Sequence, residues 1–327
     1  MKRKTGRDTL YHDQSAWWKL QEFLPPRLRL TVEADLPTED FWEWESNNIH
    51  LDQYLNPEAP AKVILHHGVG TNGRQMNLII GKPLADQGWE VTAIDNLGYG
   101  MTQVRPGGTY GYGQWIQMVT DYLAYEKSRD DRPIVLFGLS AGGMVTYHVA
   151  AHAPRGAVHG IVGLTFLDQR NRDVWIATAR YKFSATVGMK GVGALARSPM
   201  KGLEFPMSLA SKMSALCNNA DAMKVFLADK TSAGSAASMK FLADYRTYVP
   251  DIEPADFDVC PILHTQPAED HWTPLELSKP ALDPIKKVPV TLVMLENAGH
   301  YPLEEPGLTQ MEEAVDAFVR EVTGTNP

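Results

Sequence analysis

Residues 133–145 read P-I-V-L-F-G-L-S-A-G-G-M-V. Ile134 to Phe137 is a short, wholly apolar run, the pattern of a strand buried on both faces. Gly138, Leu139, Ser140, Ala141 and Gly142 follow at once, so a hydroxyl sits where a strand meets the residues that open a helix. Glycines two before and two after the serine remove β-carbons that would collide with the strand and the helix, which lets the hydroxyl stand clear. The spacing marks a nucleophile only in this strand, turn, helix context, and both flanks comply. A locally satisfied turn serine is the plain alternative.

Working outward, strands and helices alternate. Strands are predicted over 63–65, 89–94, 161–166, 261–263 and 288–295, and helices over 74–87, 112–127, 141–151 and 308–319. Strands separated by helices imply right-handed crossovers and a mostly parallel sheet flanked by helices, the α/β class. Upstream, Phe41 to Tyr54 suggests a hairpin turning at Asn47-Asn48. Ala16, Trp17, Leu20, Phe23 and Leu24 share one face of a short helix stopped by Pro25-Pro26. This arm, with Trp17 and Trp18, docks either within the chain or across a homodimer.

Between Asp168 and Val259 the chain shows no strand and turns to Ala, Met and Ser-rich helical patterns. Ala236, Met239, Leu242 and Tyr245 fall on one stripe, with Met207, Met213 and Met223 on neighbouring helices. A helical excursion that returns to the same sheet suggests a lid over the edge where open sheets bind ligands. Its thioethers suit an adaptable apolar pocket. The predicted division is therefore an arm over 1–40, a core over 41–168 and 260–327, and a helical cap over 169–259.

The 327 residues are 44% apolar and 21% charged, with a formal net charge of -8. That balance argues against a nucleic-acid partner, which needs clustered positive charge. Cys217 and Cys260 form neither a disulfide framework nor a metal motif and are expected to be buried thiols. The start M-K-R-K-T-G-R-D is basic, but Asp8, His12, Asp13 and Gln14 stand where an export signal needs an apolar core. No apolar run is long enough to span a bilayer. A cytoplasmic location is the expectation.

A serine hydroxyl needs a base, and the base needs a partner that fixes its tautomer. His300, in E-N-A-G-H-Y-P-L-E-E, follows the last strand, and Asp270, in Q-P-A-E-D-H-W-T-P, follows the strand before it. Both loops open at the C-terminal edge of the sheet. Glu269 and Asp168 are the rival acids. The order Ser140, Asp270, His300 is nucleophile, acid, base. Oxyanion donors are expected from the Ala141 N–H and, in H-H-G-V-G-T-N-G, from the Val69 N–H. That glycine-rich turn lacks the lysine and hydroxyl of a phosphate loop and the dinucleotide spacing. Tyr99, Met101, Trp272 and Tyr301 stand near the expected mouth as substrate contacts. His148 and His152, four apart, lack a third ligand and are taken as structural; no metal or cofactor is expected.

On these residues the chain resembles an α/β-hydrolase with a helical cap, similar in layout to the serine aminopeptidase-like hydrolases that include monoacylglycerol lipases and lysophospholipases. The matching pieces are H-H-G-V-G at 66–70, D-N-L-G-Y-G at 95–100, G-L-S-A-G at 138–142, Asp270 before Trp272-Thr273-Pro274, and G-H-Y-P-L-E at 299–304. The resemblance implies that the serine is acylated and water releases the acid. His67, Asn96 and Leu97 depart from the family's usual residues. The expected activity is hydrolysis of a small hydrophobic carboxylic ester. The alternatives are an aminopeptidase or amidase, in which Glu204, Asp221 or Asp229 would receive an amine, a lactonase, a carbon-carbon hydrolase, or a binding protein on the same fold.

Overall fold

The computed structural model describes residues 10–180 and 198–325. The basic start of the chain and residues 181–197 of the expected cap lie outside the described residues. An eight-stranded sheet runs in the order β1-β2-β4-β3-β5-β6-β9-β10. β1 (Thr38–Trp44) and β2 (Asn47–Tyr54) form an antiparallel hairpin, and β2 joins β4 (Glu90–Ile94) antiparallel. From β4 onward every pairing is parallel, through β3 (Lys62–His66), β5 (Ile134–Gly138), β6 (Gly160–Gly163), β9 (Ile262–Pro267) and β10 (Val290–Leu295). Parallel pairing aims the C-terminal ends of β3, β5, β9 and β10 at one edge.

The central strands are apolar because both faces are covered: β5 and β6 are buried at every position. Helices α4 (Tyr112–Arg129) and α5 (Ala141–His152) pack together, and α5 lies on β5 and β6. The C-terminal helix Gly307–Thr323 buries Leu308, Met311, Val315, Phe318 and Val319, the expected stripe, and Gly324 ends it in a left-handed conformation.

Four expectations need correction. The hairpin turns at Glu45-Ser46, which take positive φ of 47° and 64°, and Asn47 already pairs with Trp44. A two-residue loop of this type I′ kind has both central residues left-handed, and the Asn47 amide secures them by donating to Trp44 O and Glu45 O. The single helix expected over 74–87 is α2 (Gly73–Met76) and α3 (Lys82–Asp86) joined by a wide π-type turn, where Asn77 Nδ2 donates to Asp52 O. β6 stops at Gly163, over which the Phe166 ring folds at a distance that leaves no room for a β-carbon. The inserted helical region does carry strands: β7 (Glu204–Pro206) pairs with β8 (Ala236–Ser238). Ala236 thus belongs to a strand, and the helix of that stripe begins at Met239, capped by the Ser238 hydroxyl.

The arm docks within its own chain. Tyr11, Trp17, Leu20, Leu24, Leu28 and Leu30 are all buried in the core, and α1 (Ser15–Leu20) lies against the helix Ala220–Ala228 of the insertion. Cys217 and Cys260 are buried free thiols. Among the described residues no helix is long and apolar enough to cross a membrane.

Candidate active site

Ser140 sits between β5 and α5 with φ 56° and ψ -119°, a conformation that costs a non-glycine residue energy and persists only where its surroundings enforce it. Close approach explains the two flanking glycines. A β-carbon on Gly138 would lie 2.1 Å from Gly142 O, and one on Gly142 would lie 2.4 Å from His66 O. The turn is held by Gly142 N–H donating to Leu139 O and Gly143 N–H donating to Ser140 O.

The loop after β3 lies against this turn. A β-carbon on Gly68 would stand 2.8 Å from Ser140 Cβ and 3.4 Å from Ala141 N, so Gly68, the neighbour of Val69 in the chain, adjoins the serine and the first amide of α5. Among the described residues neither the Val69 nor the Ala141 amide has an acceptor. His67 fixes the loop from beneath. Its Nδ1 donates to Gly68 O at 2.7 Å while its Nε2 accepts from Asn96 N–H at 2.9 Å, and Asn96 Nδ2 donates back to His67 O. Burial lowers the pKa of His67, which keeps the ring in the neutral form this pattern requires. Two of the departures from the family pattern, His67 and Asn96, are therefore partners.

His300 follows β10 and Asp270 follows β9, and the two meet: Nδ1 of His300 lies 2.8 Å from Asp270 Oδ2. Both are buried. Asp270 Oδ1 accepts from the Trp272 and Thr273 amides, and Oδ2 accepts from the Thr273 hydroxyl. Burial works against the charge of Asp270, but the adjacent imidazole and these donors overcome it and hold the carboxyl down to about 2. Nε2 of His300 is buried with no partner among the described residues. An imidazole so oriented has one nitrogen tied to an anion and the other available for a proton.

The rival acids are engaged elsewhere. Asp168 is held by Arg170, which also reaches Glu253. Glu269 is exposed. Among the carboxylates considered for an amine, Asp229 accepts from Thr231 N, Thr231 Oγ1, Ser232 Oγ and Gln75 Nε2, Asp221 pairs with Lys224 at the surface, and Glu204 is exposed.

The inserted region is fastened to both loops. Tyr301 N–H donates to Leu216 O, Asn218 Nδ2 donates to Glu269 O, and Trp272 Nε1 donates to Thr178 O. Met213 covers Gly70, its sulfur 2.6 Å from where a β-carbon would be. Of the expected mouth residues, the Trp272 ring lies 4.8 Å from the His300 ring. Tyr301 is fully buried, donates to Gln75 O and packs edge-on against Phe226; Tyr99, in the D-N-L-G-Y-G turn, and Met101, directly after it, are buried. His148 is buried among Tyr112, Tyr147 and Tyr248, while His152 is paired with Asp251.

One group of residues, gathered around the Asp95 of the D-N-L-G-Y-G motif, left no sequence signal beyond that aspartate. Asp95 accepts from Gly73 N and Met101 N, and from the Tyr11 hydroxyl at 2.9 Å to each oxygen. His50 lies 2.9 Å from Asp95 on one side and 2.9 Å from Glu39 on the other. Burial opposes the His50 charge, but the two carboxylates overcome it and raise its pKa to about 9. Arg74 makes a two-pronged pair with Asp52 under the rings of Trp17 and Tyr11.

Sheet order, the strained serine turn and the loops at one edge define an α/β-hydrolase. Residues 57–307 match the family described as Serine aminopeptidase, S33, and the chain belongs to that family. No curated protein matches the chain significantly. Among solved structures it is similar to a soluble variant of monoglyceride lipase from Saccharomyces cerevisiae bound to a substrate analogue, at 15% identity and a TM-score of 0.71 over 92% of this chain and 99% of that one. It is also similar to a monoacylglycerol lipase from Paleococcus ferrophilus, at 18% identity and 0.63 over 84% and 99%. A membrane phospholipase A described as a bacterial virulence factor gives 18% and 0.62 over 95% and 94%.

Proposed function

We propose that this protein is a serine esterase that cleaves small carboxylic esters with a hydrophobic acyl group, through an acyl-enzyme. Ser140 Oγ attacks the ester carbonyl while His300 Nε2 takes its proton. Asp270 holds Nδ1 and stabilises the imidazolium. The Val69 and Ala141 amides receive the oxyanion, a contribution on the order of 3 kcal/mol per donor. Collapse expels the alcohol, which takes the proton from Nε2. Water then attacks the acyl group with His300 again as base, and the acid leaves. Residues 169–259 act as the cap, 1–40 as an arm whose described part packs on the core, and Trp272 and Met101 as substrate contacts.

The observation that carries this reading is the Asp270–His300 contact with Nε2 left unpartnered, at the sheet edge that also carries a serine on a strained turn. The apolar side chains of the insertion, Met207, Met213, Met223 and Phe226, all buried, support an acyl substrate over an aminoacyl one. Rates on p-nitrophenyl esters of increasing chain length, set beside aminoacyl amides, test it. Turnover is expected to rise with chain length through the medium range, and D270N to abolish it where D168N does not. Faster cleavage of the amides, or loss only in D168N, would overturn the assignment.

A further inference from the structure

The two edges of the sheet are built differently. β1 carries exposed Asp40 and Glu43, charged residues of the kind with which exposed edges avoid joining other chains. β10, V-T-L-V-M-L, carries no charge at all. Val290, Leu292 and Met294 share one face of it and are 37%, 47% and 42% exposed. The crossover from β9 supplies a 3-10 turn, Leu275–Leu277, and the short helix Lys279–Leu282, and among the described residues this face stays uncovered.

The backbone selects the same three residues. Pro289 O accepts from Ile262 N–H and Leu295 O from Ala268 N–H, so residues 289 and 295, and by alternation 291 and 293, aim their polar groups at β9. Val290, Leu292 and Met294 therefore aim theirs outward. We propose that β10 pairs antiparallel with β10 of a second copy about a two-fold axis at Leu292, joining two sheets into one. In that register Leu292 faces its own copy and Val290 faces Met294, three hydrogen-bonded pairs that each exchange two N–H···O bonds. The exposed apolar side chains meet on one face, where opposite residues lie in contact.

Charge selects a second copy as the occupant. Among the described residues, neither Lys286 before the strand nor Glu296 after it has an ion pair. The two-fold sets Glu296 across from Val288 of the other copy, one diagonal step from its Lys286, at both ends of the strand. An isologous contact of this kind closes on itself and stops at two subunits.

Sedimentation equilibrium over a concentration series tests it. The full chain is expected to move reversibly from 36.3 kDa toward twice that mass. L292K sets two lysines against each other on the axis and should weaken the dimer at least tenfold with melting unchanged. K286E and E296K should each weaken it, and the double swap should restore it, which decides the matter even where L292K fails to fold. A wild-type chain monomeric throughout, an L292K dimer as tight as wild type, or a double swap no tighter than either single change would overturn the proposal.

Discussion

The Thr273 hydroxyl lies 2.9 Å from Nδ1 of His300 while donating to Asp270 Oδ2 at 2.7 Å. It closes a triangle with the two groups that orient the imidazole. T273V removes this donor and leaves a buried carboxylate oxygen short of a partner, a loss of about 1.4 kcal/mol, or roughly tenfold in kcat with KM unchanged. T273S should recover most of the rate. Equal kcat in wild type and T273V would show that the hydroxyl only packs.

Asn218 ties the insertion to the acid loop through Glu269 O and lies flat on Gly299, beside His300. N218A is expected to lower kcat several-fold while costing about 1 kcal/mol of stability, the net worth of one hydrogen bond. A variant with full kcat and normal melting would mean that the insertion does not help to align the two loops.

The buried His50 makes stability depend on pH. Its pKa stands near 6.5 when the chain is unfolded and about 9 when folded, so its contribution is fully present below 6.5 and is lost as pH rises through 9. By linkage the loss is at most on the order of 3 kcal/mol. Urea midpoints should fall between those two pH values for the wild type and be flatter for H50Q. Parallel profiles would contradict the pairing with Asp95 and Glu39.

Trp17 closes the arm over Arg74, its ring 4.4 Å from the guanidinium carbon. W17A is expected to destabilise the fold by about 3–5 kcal/mol, from the cavity and the lost cation contact. Because the arm docks within the chain, deleting it should lower melting without changing the mass in solution at low concentration. Unchanged melting would place the arm outside the core.

What was legible in the sequence followed periodicity and register. The apolar run before Ser140, the glycine spacing and the position of His300 and Asp270 after the last two strands each depend on neighbours in the chain, and these local patterns gave the sheet and the meeting of acid with base. The turn at Glu45-Ser46 was not legible because neither residue favours positive φ; it is the amide of Asn47 that secures it. The strands Glu204–Pro206 and Ala236–Ser238 were missed because three residues are too few for alternation to show. His67 with Asn96, and Tyr11 with Asp95, pair across 29 and 84 positions, and only folding brings them together.

The most direct measurement is labelling by a fluorophosphonate, read by peptide mass spectrometry. The wild-type chain should carry one adduct, on Ser140, with labelling absent in S140A and slowed by several orders of magnitude in H300A. A folded wild-type chain that takes no label at Ser140, or that labels equally fast without His300, would contradict a serine activated by that imidazole.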